Sequence, residues 1–154
     1  MKLEIDGLEE LEKDLATLAD RYGKAATKAA IEVGQMIRTD AIKSIQDQTM
    51  GTYVTRYRAG GAAYQHIASK PGAAPNTDTG RLVASIQVDI KPDLITVGTS
   101  LDYGRYLEYG GKTEATGSPN YARPWLNPAV EKNRAAFDKI TESEADKVTE
   151  DFNK

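Results

Sequence analysis

With 154 residues, 40 % of them hydrophobic and 28 % charged, the chain can bury the core of one soluble domain. A formal charge of −3 excludes a globally basic nucleic-acid binder but leaves room for local basic patches. Cysteine is absent, which excludes disulfides and thiolate metal sites and fits a cytosolic protein or an assembled intracellular particle, and no apolar run has the length of a membrane span.

The opening MKLEIDGLEELEKDL has no apolar core of a signal peptide. Residues 2–6 alternate polar and apolar, which predicts a short edge strand leading into Gly7. From there the period changes. Leu8, Leu11, Leu15, Leu18 and Tyr22 recur at three and four, one face of a helix. Gly23 is read as an interruption or kink, and a second, longer helix is expected over 24–47 with Ala26, Ala29, Ala30, Val33, Ile37, Ala41 and Ile45 along one side. Its small residues, Ala25, Ala26, Ala29, Ala30 and Gly34, allow another element or a neighbouring subunit to approach closely.

Segment 48–77, QTMGTYVTRYRAGGAAYQHIASKPGAAPNT, has no clear period and no acid, but carries Arg56, Arg58 and Lys70 among Tyr53, Tyr57 and Tyr64. It has room for a short hairpin or helix. Its glycine and alanine content makes it the expected mobile internal part of the free protein, ordering on assembly. Cations interleaved with tyrosines are also a pattern that contacts nucleic acid, which makes these three the candidate DNA-facing residues; the alternatives are a solvated loop or a protein-docking arm.

Asp78 or Thr79 is placed to cap a short helix holding Arg81, Leu82 and Val83. Ile86, Val88 and Ile90 then alternate, Pro92 and Asp93 form a turn, and a second strand follows with either Leu94 and Thr96 or Ile95 and Val97 inward. This predicts an antiparallel hairpin over 85–91 and 94–99. Asp102 can cap a helix over 103–109, which Gly110 and Gly111 end. After a polar stretch comes YARPWLNPAVE at 121–131. Its two prolines stiffen the chain, Asn127 is a candidate N-cap, and Pro128 suits the first position of a helix. Trp125 and Leu126 become a buried plug at a docking corner. The last helix carries Val130, Phe137 and Ile140 on one side, and residues 145–154, mostly charged, are expected to fray.

Nothing along the chain assembles a catalytic constellation. The one histidine, His66, has no partner at a recognisable spacing, Ser85 and Ser100 lack a nucleophile elbow, and the paired glycines at 60–61 and 110–111 lack the lysine of a phosphate loop. No catalytic residue, metal ligand or cofactor is therefore assigned.

Three stretches in order, PGAAPNTDTGRLVASI at 71–86, YGRYLEYGG at 103–111 and ARPWLNPAVE at 122–131, resemble the tail-component family of long-tailed bacteriophages. Its members are called head–tail joining, neck or tail-completion proteins, and include proteins similar to minor tail protein Z. The matching residues are Thr79, Gly80, Arg81 and Leu82, then Tyr106, Glu108, Tyr109 and Gly110, then Ala122, Arg123, Pro124, Trp125, Leu126 and Pro128. Trp125 stands where the family commonly has phenylalanine, which keeps the plug apolar. The resemblance implies an α+β fold: two N-terminal helices, the second one long, packed on a small antiparallel sheet, with a short helix and a C-terminal helix, all in one domain over 1–154. It also implies a non-enzymatic virion protein at the neck, built in the host cytoplasm. Such a protein joins head to tail as a ring, with a hexamer expected, while the free chain can be monomeric. Its partners would be itself, neighbouring head-completion and tail-terminator or tail-tube proteins, and transiently the genomic DNA, with no membrane. Glu108 is read either as the partner of Arg81, Arg105 or Arg123, within the fold or across subunits, or as a plain surface glutamate. The alternatives are a tail terminator, a nucleic-acid-binding module recognisable by salt-dependent affinity for duplex DNA, and a toxin- or nuclease-like enzyme, which the missing histidine pairs and carboxylate motifs argue against.

Overall fold

Residues 7–91, 94–112 and 119–153 are described by the computed structural model. The strand expected at 2–6, the turn at Pro92 and Asp93, and residues 113–118 of the polar stretch lie outside the described residues. In chain order the elements are α1 (Leu8–Gln46), β1 (Thr52–Tyr57), β2 (Ala63–Ala68), α2 (Arg81–Ser85), β3 (Ile86–Lys91), β4 (Leu94–Thr99), α3 (Asp102–Tyr109), β5 (Gly111–Lys112), β6 (Pro119–Asn120) and α4 (Asn127–Phe152). The class is α+β, as expected. In place of one small sheet, the described residues form three two-stranded antiparallel ones, β1–β2, β3–β4 and β5–β6.

The expected pair of N-terminal helices is one continuous helix. Residues 8–46 contain no proline, Glu9 and Glu10 sit in the first turn, and Lys43 lies in the last, each suiting its end of the helix dipole. Gly23 lies inside α1 without breaking it. A glycine keeps its backbone N–H, so it weakens a helix by about 1 kcal/mol relative to alanine but does not stop one.

Two compact units divide the chain: residues 1–33 with 135–154, and residues 34–134. In the first, the N-terminal part of α1 runs antiparallel to the C-terminal part of α4. Tyr22 Oη meets Thr149 Oγ1 at 2.7 Å, and Lys28 Nζ donates to Glu144 Oε2 at 2.8 Å. Ala25, Ala29 and Val33 are buried here, so part of the small-residue face is spent within the chain, while Ala26 stays exposed. Lys147 also donates to Glu144; with Lys28 it holds that carboxyl below the usual carboxylate range, and Lys147 is raised in return. The helix continues through 145–152.

The second unit contains the three sheets. Val88 pairs with Val97 and Ile90 with Ile95 in β3–β4, which selects Ile95 and Val97 as the inward set. That face meets α1 at Gly34, where an added Cβ would lie 3.2 Å from both Ile95 Cγ2 and Val88 Cγ1. Arg38 Nε donates to the Ile86 carbonyl at 2.8 Å, fixing the helix along the strand. The core is formed by Ala41, Ile45, Leu82, Ile86, Trp125 and Ala129, with Ile37, Ile42, Val83, Leu107 and Leu126 packed around it. Segment 48–77 contains the β1–β2 hairpin, paired from Thr52 with Ala68 to Tyr57 with Ala63.

Candidate functional site

The three stretches singled out in the sequence meet at one place in the second unit. Its centre is Trp125, 2 % exposed, whose indole Nε1 donates to the Gly104 carbonyl of α3 at 3.1 Å. Gly104 is required there. A Cβ on it would fall 2.5 Å from Thr99 Cγ2 and 3.3 Å from Leu82 Cδ1, so α3 can lie this close to α2 and β4 only without a side chain. Leu126, expected buried with Trp125, is half-buried at the edge of the core.

Glu108 is buried at 7 % exposure and does not pair with Arg81, Arg105 or Arg123. Its carboxylate instead accepts three successive backbone N–H groups. Oε2 takes those of Trp125 at 2.8 Å and Leu126 at 2.9 Å, and Oε1 takes that of Asn127 at 2.9 Å. The first turn of a helix leaves N–H groups without intrahelical partners and carries partial positive charge. Glu108 meets both needs at Asn127 from another helix, and fixes the two residues leading into it. Asn127 is therefore not the cap expected of it; it is the first residue of α4, and Pro128 is the second.

Backbone bonds tie the rest of the corner. Arg123 N donates to Leu107 O at 2.6 Å, and Gly72 N donates to Ala122 O at 2.8 Å. Arg123 Nε reaches Ser69 O at 3.1 Å, and Asn120 Nδ2 reaches Tyr106 O at 3.0 Å. Gly110 ends α3 with φ 72°, and a Cβ there would lie 2.7 Å from Asn120 O. Tyr106 and Tyr109 remain on the surface, Pro124 is half-buried and Pro128 exposed.

The cap expected for α2 also differs. Gly80 holds the N-cap position in the left-handed region at φ 74°, with no side-chain cap, so neither Asp78 nor Thr79 serves. Nor does Asp102 cap α3: Leu101 stands at that position, and Asp102 is the helix's first residue. Asp78 instead anchors the β1–β2 hairpin. Arg56 Nη1 donates to its Oδ2 at 2.7 Å and Tyr64 Oη to its Oδ1 at 2.8 Å, a bond that raises the Tyr64 phenol above its ordinary value. His66 Nδ1 stands 3.8 Å from the same oxygen, too far for a hydrogen bond. Of the candidate DNA-facing cations, Arg56 is thus drawn to Asp78. Arg58 lies 5.3 Å from the centre of the Tyr64 ring, and Lys70 is exposed.

Beside the corner opens a cleft of about 510 Å³, whose walls include Thr79, Gly80, Arg81, Leu82, Tyr106 and Arg123 from all three stretches. Sequence reasoning did not single out Gly104, Ser69 or the anchoring role of Asp78. A glycine inside the short pattern YGRYLEY was the one available signal, since glycine within a helix marks close approach. Among the described residues no group of three or more His, Asp or Glu side chains could hold a metal ion, and no helix is long and apolar enough to cross a membrane.

Residues 9–110 match the family model described as bacteriophage HK97-gp10, a tail component. The first stretch and the second up to Gly110 fall inside that match, and the third, which carries Trp125, falls outside it. No curated protein and no solved structure matches the chain.

Proposed function

The chain belongs to the HK97-gp10-like family of bacteriophage tail components, and on that premise we propose that it completes the head-proximal end of the tail and joins it to the head, as a closed ring at the virion neck. Membership of a structural family supports a non-enzymatic role. The observation that carries the finer reading is the convergence of the three stretches. Glu108, Gly104 and Arg123 lock α3, the 69–72 loop and the start of α4 into one corner, and most of the polar residues of those stretches remain beside an open cleft. A ring subunit needs such a fixed corner, because a heterologous interface closes only if its rotation repeats faithfully.

Six copies are expected from the resemblance. Each interface is weak in the free protein, which associates only at high concentration or on a growing particle. Segment 48–77 is the mobile part that orders in the ring. Arg58 and Lys70 face the passing genome, while Arg56 is held by Asp78. Attraction to DNA stays modest, since tight binding would hinder genome exit. Gold-labelled antibody against the chain tests the location: label at the junction of head and tail is expected, and label on the shell or the distal tip would contradict it.

A further inference from the structure

The charge of this chain is divided between its two units. Residues 1–33 with 135–154 carry 8 Lys and Arg against 14 Asp and Glu, a formal −6, whereas residues 34–134 carry 12 against 9, a formal +3. The acidic unit has an exposed apolar stripe on α1. Leu8, Leu11 and Leu15 are 54 %, 56 % and 56 % exposed, three and four residues apart, with Glu9, Glu10, Glu12 and Asp14 between them. The basic unit has the cleft beside the Trp125 corner. Asp78 is its one acidic wall residue, and that carboxylate is already engaged by Arg56 and Tyr64. Among the described residues Arg81 has no ion-pair partner, and Arg123 meets only neutral acceptors. Ile45, Leu82 and Leu107 supply apolar wall, and the volume falls within the roughly 300–1,000 Å³ of ligand sites.

We propose that this cleft receives the acidic, leucine-bearing stretch Leu8–Leu15 of a second copy of the same chain, so that copies join head to tail. The inference rests on the ring reading and names the two surfaces that meet. A carboxylate of the incoming helix meets Arg81 and Arg123, and a leucine covers the apolar wall. The chemistry favours a protein segment over nucleic acid, because the cleft is concave and half apolar, whereas a phosphate backbone is tracked by a continuous cationic groove.

The test uses two charge-reversed chains, one carrying Arg81→Glu and the other Glu9→Lys with Glu12→Lys. All three positions are exposed, so thermal melts should overlay that of the parent. Sedimentation velocity at low salt is expected to show concentration-dependent association of the parent, weakened about tenfold or more in either reversed chain alone. Mixing the two reversed chains should restore association between them. Parent association that neither reversal weakens, or reversed chains that fail to rescue each other, overturns this interface and leaves the ring reading standing. A parent that stays monomeric at every concentration overturns this interface, while the ring reading, which allows assembly on the particle alone, is decided by the particle itself. Duplex DNA binding lost in Arg81→Glu while association is intact assigns the cleft to nucleic acid and overturns the proposal.

Discussion

Glu108 holds three backbone N–H groups with one carboxylate, and its replacement should expose what they depend on. Glu108→Ala leaves the start of α4 with buried unsatisfied donors and is expected to cost about 3 kcal/mol or more, while Glu108→Gln, which keeps one accepting oxygen, should cost about 1–3 kcal/mol. Denaturant melts of both variants check the order. Equal stabilities would mean that water replaces the carboxylate. Trp125→Ala removes the plug and its bond to Gly104, with an expected loss of about 3–5 kcal/mol. A melt overlaying the parent's would contradict burial within the fold. Asp40 offers a pH test. Hydrogen bonds from Lys132 at 2.8 Å and then Asn133 at 2.7 Å hold its carboxyl below the ordinary value of 3.8. A depressed folded pKa stabilises the protein above the unfolded value, and that contribution is lost as pH falls through the folded one. Asp40→Asn should therefore destabilise by about 1–2 kcal/mol near neutral pH. The gap to the parent should close below the ordinary carboxylate range, as thermal melts from pH 7 to pH 2 can show.

At the scale of elements, what the sequence revealed depended on where each partner lies. Ile86, Val88 and Ile90 alternate because one face of β3 meets α1, so that hairpin was readable from its own residues. The β1–β2 hairpin hides its period. On one face Tyr53, Thr55 and Tyr57 are exposed, and on the other Arg56 and Tyr64 turn to Asp78, so aromatic and polar residues appear on both. The role of Glu108 left no local pattern, since its partners are main-chain groups 17–19 residues away. Gly23 misled because glycine shifts helix stability by too little to decide a boundary inside a 39-residue helix. The hairpin's attachment also makes a prediction. A two-stranded hairpin is marginal on its own, and this one is tied to the 76–78 loop by Asp78 and by Asn76 Nδ2 donating to Ile67 O at 2.7 Å. Trypsin should cut the free protein first at Arg58, since Pro71 blocks cleavage after Lys70, and Asp78→Ala should speed that cleavage and extend it to Arg56. Cleavage unchanged by Asp78→Ala would mean that the hairpin is held by other contacts.

For the whole molecule, the separation of charge and the fixed corner belong to one account: a subunit that repeats around an axis presents different surfaces to its two neighbours. The family assignment was legible from short stretches where close approaches restrict the residue types that fit, as at Gly110 against Asn120 O and along the 122–127 segment. The location in the virion and the copy number have no such local signature, since they depend on surfaces completed by other chains. A reconstruction of the intact particle tests the central claim most directly. The account predicts a ring of this chain at the junction of head and tail, six-fold, with the Arg81 cleft of each copy facing its neighbour. A single copy at the neck, or density for the chain on the capsid shell, would contradict it.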